Sequence, residues 1–262
     1  MPHDNVVMHA RTVGQGHPLI VLHGFLGTSD NWLRLAKFWA DRGYEVHLVD
    51  LRNHGKSFWD DEFNLEVLKE DLQNYIEFHK LKQPHIVGHS LGGKIAMADA
   101  VENRSNRGKY IIADISPRYY PPHHQYIFEA VKKIHPRALK SRAEAADLLS
   151  RHIKDPFLAG FLLKSLKRLP EGGFAWSHNW EVLEQNADQI GEALPPMSVY
   201  EKPILFLKGE KSPYITAEDI PLIYAHFPKA RILTVPGAGH LIHIDNPDFV
   251  ARKILEFLEE KP

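Results

Sequence analysis

The chain has 262 residues, 44% of them hydrophobic, which is enough for one α/β core plus an insertion to fold as a single unit. A formal charge of -1 gives no long-range attraction to nucleic acid or to an anionic membrane. Cysteine is absent, which excludes disulfides, thiolate catalysis and cysteine metal sites.

The opening residues Met1-Pro2-His3-Asp4-Asn5 show no basic stretch leading into an apolar one, and no apolar run approaches membrane-spanning length. A cytoplasmic location without stable membrane association is therefore expected. Residues 18–22 are the first predicted strand and run into His23-Gly24-Phe25-Leu26-Gly27. Residues 45–50 are the next strand, ending in Asp50-Leu51-Arg52-Asn53-His54-Gly55, where Asp50 and Arg52 are read as structural. Asn64 caps a helix that buries Leu65, Leu68, Leu72, Tyr75 and Ile76. The apolar run 85–87 leads through Gly88-His89-Ser90-Leu91-Gly92 into a helix carrying Ile95, Ala96, Met97, Ala98 and Ala100. Residues 110–114 form a further strand.

From 117 to 200 the character changes: helix formers and aromatic residues such as Tyr119, Tyr120, Phe128, Trp176 and Trp180 dominate, with no convincing strand. This stretch reads as a helical lid inserted into a core made of residues 1–116 and 201–262, with Pro121-Pro122 and Pro195-Pro196 at its hinges or entry loops. Strands over 204–207 and 231–236 follow. Asn246 before Pro247 then starts a last helix, with Val250, Ile254, Phe257 and Leu258 on one face. Buried strands alternating with amphipathic helices describe a mostly parallel sheet covered on both faces.

The chemistry is concentrated at Gly88-His89-Ser90-Leu91-Gly92, which fits G-x-S-x-G between a strand and a helix. Such an elbow holds its serine in a strained, exposed position at the carboxyl end of a strand, so Ser90 is the candidate nucleophile. A serine hydroxyl needs a base. Among 17 histidines, His240 is singled out by its place on the loop Gly237-Ala238-Gly239-His240 after a late strand, while His243 is read as a packing residue. The backbone N–H groups of Leu91 and Phe25 are the expected oxyanion donors. His123-His124 lacks a third ligand at suitable spacing, and the glycine-rich stretches contain neither a Walker loop nor a dinucleotide fingerprint. No metal or cofactor is expected.

Over its whole length the chain resembles the α/β-hydrolase superfamily, with Ser90 on the elbow, His23-Gly24 in the oxyanion loop and His240 on the late loop. A narrower similarity, to YbfF-type bacterial esterases, rests on Asp50-Leu51-Arg52-Asn53-His54-Gly55-Lys56-Ser57, on Gly88-His89-Ser90-Leu91-Gly92-Gly93-Lys94 and on Ala113-Asp114-Ile115-Ser116-Pro117. The resemblance implies the α/β-hydrolase fold: a mostly parallel eight-stranded sheet flanked by helices, with the lid inserted between strands six and seven. It also implies a serine carboxylesterase that cleaves short to medium acyl esters, or thioesters, through an acyl-enzyme. Carbon-carbon bond hydrolysis, perhydrolysis on the same triad and a non-catalytic binding role are the alternatives. The expected partner is a small acyl ester, for a monomer or a homodimer.

The acid of the triad is the open point. In much of the superfamily an aspartate follows the seventh strand, but here that strand ends in Lys208-Gly209-Glu210-Lys211-Ser212-Pro213. Asp114 lies at the correct edge of the sheet and keeps the order Ser, Asp, His. The esterase resemblance points the same way and suggests Ser212 as an auxiliary group near His240. Glu210 is the rival.

Overall fold

A computed structural model describes residues 6–102 and 105–260. Met1 to Asn5, the residues read for a leader, lie outside the described residues. The core strands are β1 (Ala10–Val13), β2 (His17–Leu22), β3 (Tyr44–Val49), β4 (His85–His89) and β5 (Tyr110–Ala113). Between them run α1 (Leu33–Ala40), α2 (Leu65–Phe78) and α3 (Leu91–Val101). The segment after β5 holds α4 (Gln125–Lys132), α5 (Arg142–Ser150), α6 (Pro156–Leu163), the short strands β6 (Leu166–Arg168) and β7 (Phe174–Trp176), and α7 (Trp180–Gln185). The core resumes with β8 (Ile204–Gly209), α8 (Ile220–His226), β9 (Ala230–Val235), α9 (Ile242–Asp245) and α10 (Pro247–Glu259).

The main sheet has the order β1-β3-β2-β4-β5-β8-β9, parallel except for β1, which pairs antiparallel with β3. Its central strands are apolar at nearly every position because successive side chains enter opposite, equally covered layers. Ile20, Leu22, Ile86, Ile112 and Phe206 pack with α2 and α3, while Leu19, Val21, Val87, Ile111 and Leu205 pack with α1 and α10. Asn64 caps α2 by accepting from the Val67 N–H at 3.0 Å, and Asn246 caps α10 by accepting from the Phe249 N–H at 3.4 Å.

Seven strands, not eight, form this sheet among the described residues, so the insertion falls between its fifth and sixth strands. Residues 6–9 add no further strand: they bury Met8 and join the core through the Asp50 N–H, which donates to the His9 carbonyl at 2.9 Å. The insertion is also not purely helical. β6 and β7 form an antiparallel hairpin turning at Gly172-Gly173. Strands of three residues carry too little alternation to be read from sequence.

The insertion joins the core through a narrow neck. The Tyr120 N–H donates to the Gly191 carbonyl at 2.8 Å and the Leu194 N–H to the Pro117 carbonyl at 2.9 Å. Lys94, buried on α3, donates from Nζ to the Arg118 carbonyl and, at 2.8 Å, to the Glu192 carbonyl. Burial, helped by the Arg118 charge, pulls its ammonium down to about 7.

Candidate active site

Ser90 sits between β4 and α3 with φ 52° and ψ -114°, a strained conformation for a residue with a side chain. The elbow is tight enough that a Cβ on Gly88 would lie 2.1 Å from the Gly92 carbonyl oxygen. Ser90 is locked by its N–H, which donates to the Ala113 carbonyl at 3.0 Å. Across the turn, a Cβ on Gly24 would meet the His89 ring at 2.8 Å and Ser90 Cβ at 3.2 Å, so only glycine lets this loop approach the serine.

Asp114 follows β5, is fully buried and has φ 52°. Its Oδ1 accepts from the Gly209 N–H at 2.8 Å, and its Oδ2 accepts from Ser212 Oγ and, at 2.8 Å, from His240 Nδ1. His240 therefore presents Nε2 away from the carboxylate. Glu210 turns elsewhere and accepts from the Gly237 N–H at 2.7 Å. Among the described residues no hydrogen bond joins Ser90 Oγ to His240; the two line one cavity of about 1110 Å³. Nucleophile and base commonly close to bonding distance only with substrate in place.

Two aromatic rings pack against the His240 ring. Tyr214 stacks on it at 3.6 Å between centroids and 13° between planes, and His89 lies 4.8 Å away between centroids at a tilt of 40°. Tyr214 is fixed in turn by its hydroxyl, which donates to His123 Nε2 at 2.8 Å, and burial raises that hydroxyl to about 12. His89 Nε2 donates to the His240 carbonyl at 2.8 Å, and burial holds its imidazole well below the ordinary range. His243 stacks on Trp32 at 4.3 Å, and neither of its ring nitrogens has a hydrogen-bond partner.

Phe25, Ser90 and Leu91 line one cavity, and neither the Phe25 nor the Leu91 N–H has a partner among the described residues. The loop that carries Phe25 is held by three buried histidines. His23 Nε2 accepts from the Leu51 N–H at 3.0 Å while Nδ1 donates to the Gly24 carbonyl at 2.8 Å. His54 Nε2 accepts from the Leu26 N–H at 3.2 Å while Nδ1 donates to the Arg52 carbonyl at 2.8 Å. His178, from the insertion, donates from Nε2 to the Leu26 carbonyl at 3.0 Å and accepts from the Gly55 N–H at 3.4 Å. Each ring must be neutral, because each both donates and accepts. Burial enforces that state, lowering His23, pushing His54 well below its ordinary range and His178 to about 4.

Asp50 and Arg52 are structural, as their position suggested. Asp50 accepts from the Ser29 and Lys56 N–H groups at 2.7 and 3.0 Å, and Arg52 makes a two-pronged pair with Asp71 at 2.6 and 2.8 Å. Sequence reasoning missed His54, His178 and Tyr214 as site-supporting residues. The only local signal was His54 within Asn53-His54-Gly55; nothing near His178 in the sequence ties it to a loop 152 residues away. Among the described residues no group of three His, Cys, Asp or Glu is placed to hold a metal ion.

Residues 19–253 match the alpha/beta hydrolase family. The chain belongs to that family. Its hydrolase relatives include a sn-1-specific diacylglycerol lipase, ABHD11, from Danio rerio, 35% identical over 94% of this chain and 80% of that one. Esterase YbfF from Escherichia coli is 31% identical over 97% and 98%. Among solved structures, a marine microorganism esterase superposes with a TM-score of 0.93 at 39% identity, covering 97% of this chain and 100% of the other. This alpha/beta hydrolase thus resembles esterases and lipases along nearly its full length. Among the described residues no helix is long and apolar enough to cross a membrane.

Proposed function

We propose that the protein is a serine carboxylesterase acting on short to medium acyl esters, thioesters included, through an acyl-enzyme. The observation that carries this reading is the chain of contacts from Asp114 Oδ2 to His240 Nδ1, with His240 and Ser90 facing one cavity. Ser90 Oγ attacks the ester carbonyl as His240 Nε2 takes its proton, and Asp114 fixes the tautomer and stabilises the imidazolium. The Phe25 and Leu91 N–H groups receive the developing oxyanion; losing one such donor costs about a hundredfold to a thousandfold where it has been measured. Ser212 supports Asp114 as an auxiliary donor, and residues 117–200 act as the lid that shields the reaction from bulk water. Esterase and lipase relatives support the same class of reaction.

The test is a fluorophosphonate label read by peptide mass spectrometry beside a panel of p-nitrophenyl esters. Ser90 is expected to carry the label, and Ser90→Ala to lose both labelling and hydrolysis. Labelling at another serine, or full activity in the alanine variant, removes this reading.

A further inference from the structure

Two cavities meet at Ser90, and the base touches only one of them. The larger, about 1110 Å³ with its open mouth, has His240 in its wall and is lined on the insertion side by Ile127, Leu158 and Phe161. The smaller, about 400 Å³ with its open mouth, is lined by Leu91, Ile115, Tyr120 and Ile190, and His240 does not line it. Phe25, Ser90, His123, His124 and Tyr214 line both.

The walls of the smaller cavity are fixed. Tyr120 receives the Arg118 guanidinium on its ring at 3.8 Å, accepts from the Ser116 N–H at 3.0 Å and donates to the Tyr214 carbonyl. Ile115 lies so close to α3 that a Cβ on Gly93 would sit 2.5 Å from its side chain. A space bounded this way accepts a short chain and resists a longer one.

Chemistry sorts the two halves of an ester between these spaces. In acylation, Ser90 Oγ bonds to the carbonyl carbon and its proton passes to His240 Nε2; the carbon-oxygen bond to the alcohol then breaks, and that proton moves from His240 to the departing oxygen. In deacylation, water adds to the acyl carbon, gives a proton to His240 and releases the acid, while Ser90 Oγ recovers its proton. The departing oxygen must therefore lie within hydrogen-bond reach of His240, and the rest of the alcohol extends into the cavity that His240 lines. The acyl chain leaves the carbonyl carbon in the other direction, past Leu91.

We propose that this enzyme selects esters of a short acyl group with a bulky, apolar alcohol, the acyl group occupying the 400 Å³ cavity and the alcohol the 1110 Å³ cavity. The proposal rests on the serine-esterase reading. It is tested with hexyl acetate and ethyl hexanoate, isomers that differ only in which side of the ester is long. The wild-type protein is expected to favour hexyl acetate by about tenfold or more in kcat/KM, the scale on which an apolar pocket discriminates a methylene. Ile190→Ala, which lengthens the smaller cavity, is expected to raise ethyl hexanoate relative to hexyl acetate. Leu158→Trp, which fills the larger, is expected to lower hexyl acetate selectively. Equal or reversed preference in a protein whose Ser90 takes up fluorophosphonate overturns the cavity assignment alone. Failure of Ser90 to label overturns the esterase reading and this proposal with it.

Discussion

Asp114 has three donors converging on two oxygens, and that geometry makes the acid assignment testable by a single-atom change. An amide in its place must aim an NH2 group either at the Gly209 N–H or at the Ser212 and His240 donors, so one contact becomes donor against donor. Asp114→Asn is expected to lose about four orders of magnitude in kcat while remaining folded, as when the orienting acid of a protease triad is replaced. Ser212→Ala, which leaves the histidine contact intact, is expected to fall by about tenfold or less, the scale of one ordinary hydrogen bond. Glu210→Gln is expected to stay near wild type, because that carboxylate meets the Gly237 N–H and not the base. Steady-state kinetics on the three variants decides it; a crippled Glu210→Gln beside a healthy Asp114→Asn would move the acid to Glu210. That Ser90 and His240 line one cavity agrees with the motif and the chain position that marked them as candidates. The resemblance suggested Ser212 as an auxiliary group near His240, but its contact with Asp114 was not legible, since the two lie 98 residues apart on loops after neighbouring strands.

Single elements show where local reading stops. The six parallel strands of the core were legible as apolar runs, but β1, with a half-exposed face and only four residues, and the β6–β7 hairpin were not. The hairpin reaches the candidate site: directly after β7 the chain presents His178 to the loop that carries Phe25 and Leu26. His178→Ala leaves the Leu26 carbonyl without its partner and frees a loop whose Leu26 has φ 62°. The expected outcome is a kcat loss that stays below the hundredfold to thousandfold cost of deleting an oxyanion donor outright, with KM little changed. Unchanged kcat would mean that His23 and His54 suffice to hold the loop.

For the molecule as a whole, the buried histidines set an acid limit. His178 and His243 are drawn by burial from their ordinary 6.5 to about 4 and about 3, and His54 and His89 shift the same way. Below pH 6.5 the unfolded chain binds protons that the folded one refuses, so stability drops as pH falls through the window down to about 4. Each such histidine contributes a slope of up to about 1.4 kcal/mol per pH unit. Thermal melts at pH 7.5, 6 and 5 should show Tm falling steeply below pH 6, and His243→Phe, which keeps the stack on Trp32 without a titrating ring, should flatten the fall. A Tm independent of pH over that range would sink the argument. Composition announced the histidines, but which of them are buried depends on long-range packing that no local window contains.

The neck of the insertion carries a consequence for divergence. Since the Arg118 and Glu192 carbonyls share one ammonium, the loop leaves and rejoins the scaffold at almost the same point. What lies beyond can lengthen, shorten or be exchanged while the core meets the same two ends side by side. Selection can therefore rewrite the roof over Ser90 without disturbing the turn that holds the serine, and substrate range can drift faster than chemistry as long as the contact from His178 to the Leu26 carbonyl is kept or replaced.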